Sequence, residues 1–520
     1  MRIKHKLEEY VNALREAGIL NYADVRAELM DTFIDCVSYD TRTLFGTSLF
    51  ICKGAHFREE PVTRQVTCVI AGSLEAAVQG GAAAYVAESV HKTDAPYIIV
   101  SDIRYAMVIL GRLHFDSVTD KIETVGITGT KGKTTTAYYV KNIMDKWLVS
   151  KGEKPCAMLS SVENYDGVST EESHLTTPEV LELYQHFQNA YDSGITELVM
   201  EVSSQALKYG RVRGMHFAVG CFTNIGTDHI GPAEHIDFED YFSSKLKLFD
   251  MCDVACVNTD DERSDRVIER VKSHGDFCKL ITYGSHPEDT VYCEKIEKHD
   301  DGLYFTVKSD LYNGEFSITM PGLFNVSNAL CAIAIAYVLR IPQEFVAEGL
   351  RTARAKGRML VFETKDKQVT AIVDYAHNKM SFEALYNSTK KEYPGKKIIS
   401  IFGAPGNKAP GRRRELGEVS SANSDYVFIT EDDPAEERFM DIAKTVEQYV
   451  KCPHEILEDR GECIKRAILS HDGPRVLLVM GKGEEDVMKR GLKQVPCVSD
   501  PENVKRYIAE YDKGEKRHGN

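Results

Sequence analysis

The stretch GITGTKGKTTT, Gly126 to Thr136, follows the apolar run Ile122 to Val125 and leads into Ala137 to Met144, a segment predicted to be helical. A strand, a glycine-rich loop and a helix in that order place backbone N–H groups and a helix N-terminus around a polyphosphate. In that frame Lys133 neutralises the β- and γ-phosphates, the Thr134 hydroxyl serves Mg²⁺, and ATP is the expected ligand. The spacing departs by one residue from G-x4-G-K-[ST]: Gly126 stands six before Gly132, and position 127 is Ile. The loop is therefore not that of an ordinary motor or GTPase. Glycine-rich loops also end strands for conformational reasons alone. Here the three threonines after Lys133 and the flanking elements favour a nucleotide.

Outward from the loop, the pattern is that of an α/β protein. Buried strands are predicted at Glu197 to Met200, Val219 to Phe222 and Val254 to Val257, short continuous apolar runs that suit a mostly parallel sheet. A strand-rich interval at 290 to 320 and a helix at Val326 to Leu339 follow. Before the loop, the apolar runs Ser48 to Cys52, Cys68 to Ala71, Ala82 to Val86 and Tyr97 to Val100 read as a small α/β unit, closed by a helix near Ile103 to Phe115. After Gly357 come strands Ala371 to Val373, Lys397 to Phe402, Tyr426 to Thr430 and Arg475 to Met480, alternating with helices in a Rossmann-like manner without a G-x-G-x-x-G fingerprint. At about 150 residues per domain, 520 residues suggest three units, expected at 1–102, 103–355 and 356–520. The charged tail after Tyr511 is expected to fray.

Composition bounds the partners. With 64 Lys+Arg against 79 Asp+Glu the net charge is −15, which argues against duplex nucleic acid or an anionic membrane surface. No apolar run spans a bilayer and MRIKHKLEEY lacks a signal-peptide core, so a cytoplasmic protein is expected. The 13 cysteines are scattered and read as free, mostly buried thiols; Cys252 and Cys256, close together on a predicted strand, are poorly spaced for zinc.

Several loops beyond strand ends carry polar groups. Glu201 closes the run Glu197 to Met200, where a P-loop sheet places a magnesium-binding or water-orienting acid, or where the carboxylate is merely solvated. FTNIGTDHIGPAEH, Phe222 to His235, gathers Asn224, Asp228, His229 and His235; a histidine there is a metal ligand or a surface residue. Lys245 and Lys247 follow on a helix starting near Phe238, where the plain role is a solvated face. DYAHN (Asp374 to Asn378) and TEDDPAEE (Thr430 to Glu437) follow strands, as ligand-binding loops of open α/β sheets do. GNKAPGRRR, Gly406 to Arg414, offers guanidinium forks for a carboxylate, or a solvated turn.

Taken together these residues resemble the Mur ligase family, specifically its MurE-type branch, and the resemblance covers nearly the whole chain. In order stand Asp40-Thr41-Arg42, TGTKGKTT (Thr128 to Thr135), LTTPE (Leu175 to Glu179), MEVSSQ (Met200 to Gln205), DHIGPAEH, GLFNVSNAL (Gly322 to Leu330), GRM (Gly357 to Met359), DYAH (Asp374 to His377) and DDPA (Asp432 to Ala435). The resemblance implies a unit for the UDP end of the substrate, with Asp40, Thr41 and Arg42, a central ATPase unit with a P-loop-type parallel sheet, and a Rossmann-like unit that receives the amino acid. It implies ATP-dependent amide ligation onto UDP-N-acetylmuramoyl-L-alanyl-D-glutamate through an acyl phosphate; separately, a monomer is expected. Thr128, Gly129, Thr130, Lys131, Gly132, Lys133, Thr134 and Thr135 match the phosphate loop. Thr134, Glu201, His229 and Lys245 match metal sites, with Lys245 at the position of a lysine carbamylated by CO₂ and Lys247 as the fallback. Thr176, Thr177, Ser203, Gln205 and Arg211 match contacts to the muramoyl-peptide; Asn325, Asn328, Arg358, Asp374 and His377 match the nucleotide site.

In the branch that adds meso-diaminopimelate the last motif reads DNPR, and its arginine binds the second carboxylate. Here Ala435 stands in that place, among Asp432, Asp433, Glu436, Glu437 and Glu485, anions that suit a side-chain ammonium. L-lysine is therefore the expected amino acid, with Arg413 on its α-carboxylate; ornithine, one methylene shorter, stays open. Two positions depart from the family pattern: Lys131 for the usual Asn, and Lys356 for the usual Pro. The rival readings are a folylpolyglutamate synthase-like ligase, a non-catalytic scaffold paralogue, which would be expected to have lost Lys133, Glu201, His229 or Lys245, and a P-loop transport or motor ATPase.

Overall fold

The computed structural model describes residues 3–53, 70–231, 234–299, 301–407, 410–469, 473–491 and 493–518. Its largest element is an eleven-stranded mixed sheet whose centre is parallel. Strand Glu123–Thr128 lies between Glu197–Glu201 and Phe217–Phe222, with Glu201 beside Ile127 and Phe222 beside Thr128. Three strands thus end together at one carboxyl edge. Strand Glu123–Thr128 is buried from its second residue on, because helices cover both faces of the sheet. Helix Lys133–Ser150 covers one face together with Phe324–Val338, which is apolar and small-residued enough to be buried almost all round. The strand-rich interval is a meander, Val291–His299, Gly302–Lys308 and Asn313–Ile318, paired antiparallel.

A five-stranded sheet between residues 20 and 100 precedes this body, mostly parallel with an antiparallel edge strand, Leu20–Asp24. Its apolar face and that of helix Ile103–His114 merge with the second face of the large sheet in one continuous core. Of the run Cys68 to Ala71, residues 68 and 69 lie outside the described ones, and the remainder opens helix Ile70–Gln79. The third sheet has six strands. Val369–Asp374, Arg475–Met480, Lys397–Phe402, Tyr426–Ile429 and His454–Ile456 are parallel neighbours, and Leu360–Glu363 is an antiparallel edge. Apolar layers fill both of its faces.

The chain end differs from expectation. Helix Asp500–His518 continues into the charged tail. The twelve described cysteines are free and ten of them are buried, Cys252 and Cys256 among them. Among the described residues no helix is long and apolar enough to cross a membrane.

Candidate active site

The glycine loop takes its shape from two backbones that only glycine adopts freely. Gly129 has φ 150° and Gly132 φ 85°. A side chain at either would run into the Thr223 hydroxyl or the Asn328 amide. The neighbouring strand end holds the loop from below: Lys131 N–H donates to Asn224 Oδ1 at 2.8 Å, and Lys131 C=O accepts from Thr223 Oγ1 at 2.7 Å and Asn224 Nδ2 at 3.0 Å. Thr130 Oγ1 meets Tyr241 Oη at 3.0 Å, while Thr128, Thr134 and Thr135 are buried around the turn into the helix.

Three lysines converge on this loop. Lys133 Nζ donates to the carbonyls of Gly129 at 3.0 Å and Thr130 at 3.2 Å. Lys245, on helix Phe238–Leu246, is 2% exposed and donates to the same Gly129 carbonyl at 2.8 Å. Burial, then the charges of Lys133 and Lys131, hold its amine well below the ordinary lysine value. Burial lowers Lys133 too, opposed by Glu201 and Asp228. Lys131, lowered to about 8 by burial, keeps a counter-charge in Asp228, 3.6 Å from its Nζ. Lys247 lies one residue beyond that helix, in a short 3₁₀ turn, and is exposed.

Glu201 is fully buried at the strand end, where the Ser161 N–H and hydroxyl donate to its two oxygens at 2.7 and 3.0 Å. Thr176 Oγ1 lies 3.2 Å from the same hydroxyl, which can accept its proton. Thr177 Oγ1 donates to Glu201 C=O at 2.9 Å and accepts Ser203 N–H at 3.0 Å. Ser203 caps the short helix Ser204–Lys208, which carries Gln205. Arg211 is buried against Glu179, 2.8 Å away, so the LTTPE segment already supplies an anion to it. His229 sits at φ 55° with Nδ1 3.0 Å from Glu234 Oε1. His235, buried between Ser204 and Asp240, is pushed down to about 4 by burial. Among the described residues no group of three or more His, Cys, Asp or Glu side chains is arranged to hold a metal ion.

The third sheet faces the loop across Asp228. Arg412 donates to Asp228 Oδ1 at 3.0 Å, and the Asn378 amide donates to Oδ2. Arg358 lies over the Tyr375 ring and reaches Thr134 Oγ1 at 3.5 Å. Asp374 accepts the Met359 and Ala376 N–H groups at 2.9 and 2.8 Å, and burial raises its carboxyl. His377 is held well below its usual value by burial and by the charges of Lys131 and Arg412. Asn325 donates to Pro321 C=O and accepts from Asn328, whose amide lies beside Gly132. Lys356, in the connection between the two bodies, pairs with Glu163, which also accepts the Tyr138 hydroxyl at 2.8 Å.

At the amino-acid end, Glu485 and carboxylates of the TEDDPAEE loop already have partners within the protein. Glu485, expected to await a ligand's ammonium, is already paired with Lys482, whose Nζ is also 2.9 Å from Asp433. Glu437 is taken by Arg413 at 2.7 Å and by the Asn407 N–H, while Glu436 accepts the Asn407 amide at 2.8 Å. The physical reason is that the buried cations Lys482 and Arg413 need anions within the protein itself, and the partly exposed carboxylates beside them supply those anions. Lys482, 3% exposed, was missed; the signal for it was its place between two glycines in GKGEED. Arg413 Nε is buried with no hydrogen-bond partner. Ala435, at φ 51°, is joined by backbone bonds to Lys489 C=O and Gly491 N–H. Far from these groups, Arg42 is exposed and folded back on Asp40, which caps the turn Thr41–Thr43.

Residues 127–336 match the Mur ligase middle domain, and residues 357–483 match the Mur ligase glutamate ligase domain. A UDP-N-acetylmuramoyl-L-alanyl-D-glutamate–L-lysine ligase of Streptococcus thermophilus is 36% identical over 91% of this chain and 93% of that protein. A UDP-N-acetylmuramyl-tripeptide synthetase of Lactobacillus delbrueckii subsp. bulgaricus is 34% identical over 96% of this chain and 98% of its own length. Among solved structures, a UDP-N-acetylmuramoyl-L-alanyl-D-glutamate–2,6-diaminopimelate ligase superposes with a TM-score of 0.65 over 100% of both chains at 20% identity. A folylpolyglutamate synthase of Mycobacterium tuberculosis superposes with a TM-score of 0.57 at 14% identity, over 72% of this chain and 92% of its own. Two matched domains that take in most of the chain, and relatives more than 30% identical along nearly all of it, establish that the protein belongs to the Mur ligase family.

Proposed function

We propose that the protein joins L-lysine to the D-glutamate of UDP-N-acetylmuramoyl-L-alanyl-D-glutamate, a step of peptidoglycan precursor synthesis, at the expense of ATP. The observation that carries this reading is the shared carboxyl edge of strands Glu123–Thr128, Glu197–Glu201 and Phe217–Phe222, which brings Lys133, Lys245 and Glu201 to one loop. The names of the Streptococcus relative and others like it supply the substrate pair. The units are taken as 1–102 for the UDP end, 103–355 for ATP and 356–520 for the amino acid. We take the enzyme to work as a cytoplasmic monomer without nucleic acid or membrane partners, which gel filtration and cell fractionation test.

The chemistry asks two anions to meet. The glutamate carboxylate attacks the terminal phosphorus, giving ADP and an acyl phosphate; the lysine amine then adds to the carbonyl, and phosphate leaves as the amide forms. Lys133, the loop N–H groups and Arg358 offset the charge on the phosphates, so that positioning and electrostatics lower the barrier. Thr176, Thr177, Ser203, Gln205 and Arg211 line the approach of the muramoyl-peptide, with Asp40, Thr41 and Arg42 toward its UDP end. Asn325, Asn328, Asp374 and His377 flank the nucleoside. Arg413 takes the α-carboxylate of lysine, and Asp432, Asp433, Ala435 and Glu485 surround its side chain.

The donors fit Mg²⁺ bound together with phosphates. A single buried carboxylate, Glu201, and a hydroxyl, Thr134, match an ion that relies on substrate oxygens rather than a full protein cage. His229 and a carbamate on Lys245 would complete the set, the metal supplying charge neutralisation along the phosphate chain. A carbamate also suits Lys245 itself, whose buried amine has a backbone carbonyl rather than a carboxylate as its acceptor.

Phosphate release from ATP with UDP-N-acetylmuramoyl-L-alanyl-D-glutamate, compared for L-lysine, L-ornithine and meso-diaminopimelate with product masses, tests the proposal. Lysine-dependent release with a lysyl product is expected. Release with another amino acid keeps the ligase and changes the substrate; no release with any of them overturns the reading.

A further inference from the structure

Lys131, one of the two departures from the family pattern, occupies a position that gives it work of its own. Its main chain cannot shift, since N–H and C=O are both tied to the 223–224 strand end by bonds of 2.7 to 3.0 Å. Only the side chain is adjustable. Lys133 and Lys245 turn back on the carbonyls of Gly129 and Thr130, whereas Lys131 points toward the third sheet and Asp228. Its pairing there is loose, 3.6 Å, beyond hydrogen-bond length. Asp228 has firmer donors in Arg412, Asn378 and the N–H of His229. Asp228 therefore loses little if Lys131 leaves. Lys131 gains much, because Lys133, Arg358 and Arg412 surround it with positive charge that a polyanion would relieve.

We propose that Lys131 is a phosphate-positioning residue that exchanges Asp228 for the terminal phosphate of the nucleotide, releasing Asp228 wholly to Arg412 and Asn378. This rests on the reading of the loop as the ATP site. The exchange couples the two bodies: a triphosphate draws Lys131 inward, and the carboxylate it vacates binds the third sheet's donors without competition. A diphosphate, lacking the terminal group, leaves Lys131 on Asp228. By linkage, tighter docking of the third sheet in turn favours the triphosphate.

The test is calorimetric titration of wild type, Lys131→Met, Lys131→Arg, Asp228→Asn and the Lys131→Met/Asp228→Asn pair with ADP and with a non-hydrolysable ATP analogue. One charge-assisted contact is worth ~10-fold or more in affinity, so Lys131→Met weakens the analogue by about that factor and ADP by less than about 2-fold. Lys131→Arg keeps the preference for the triphosphate. Asp228→Asn removes the carboxylate that both competes for Lys131 and docks the third sheet, so the two substitutions are coupled: the loss in analogue affinity caused by Lys131→Met is more than about 2-fold different in the Asp228→Asn background from that in wild type. Equal loss for both nucleotides, or strictly additive effects in the double variant, overturns the exchange while leaving the nucleotide site intact. A wild type that binds neither nucleotide sinks the site and the exchange together. Thermal melts identify any variant that does not fold, and Lys131→Gln replaces Met in that event.

Discussion

Asp228 and Arg412, 184 positions apart, form an ion pair of 3.0 Å with side chains 3% and 14% exposed. The pair joins the loop after strand Phe217–Phe222 to helix Gly411–Asn423 of the third sheet's layer. Breaking a buried pair from one side strands the other charge. Arg412→Ala is expected to raise the radius of gyration in small-angle scattering and to lower kcat by ~10-fold or more, because the two halves of the site no longer meet. An unchanged radius and unchanged kcat would show that the contact does not hold the bodies together.

Lys245→Ala should abolish ligation, and small carboxylates added to the assay should restore part of it by replacing the carbamate. Activity with labelled CO₂ trapped on the wild-type lysine would support the same conclusion. A fully active Ala variant removes Lys245 from the mechanism.

Gly132→Ala places a methyl against Asn328 at a backbone angle of φ 85°. Such a site costs ~1–3 kcal/mol when forced, so the melting temperature should fall and the KM for ATP rise together. A stable variant with wild-type KM would mean that the loop relaxes freely.

Ala435→Arg should weaken lysine use by ~10-fold or more, since the new guanidinium repels a side-chain ammonium and competes with it for the carboxylates around it. The residue already sits in the left-handed region, φ 51°, next to Arg490 across a backbone bridge. Steady-state kinetics in lysine decide the matter, and unchanged values would locate selectivity elsewhere.

Asp432 gives a pH signature. Burial, reinforced by Asp433, pushes its carboxyl up to about 7, whereas an unfolded Asp titrates near ~3.9. The fold therefore prefers the protonated form, and this contribution to stability, complete below ~4, is lost as pH rises through about 7. Asp432→Asn should flatten that loss, so its melting temperature gains on wild type between pH 5 and pH 8. A constant difference across that range would refute the shift.

The parts of the fold legible in sequence were those with local signals. The glycine loop announced strand Glu123–Thr128 and helix Lys133–Ser150, and unbroken apolar runs announced the parallel strands. The hairpin strands Glu163–Tyr165 and Thr170–Glu172 gave no such signal, being short and polar. Pairings were invisible for a different reason. Nothing near Asn378 indicates that its amide meets Asp228, 150 positions away, and nothing in GKGEED says that Lys482 neutralises Glu485 and Asp433. Sequence supplied the charged groups but not which of them the fold would use internally.

Where the family pattern has a proline, whose ring would fix φ, Lys356 pairs with Glu163, itself anchored to Tyr138 on the loop's own helix. Lys356 is 59% exposed, so ions in solution screen this attachment. The attachment between the ATP-binding body and the third sheet is at this point an ion pair that added salt weakens, where a proline ring would have held its backbone angle in any solvent.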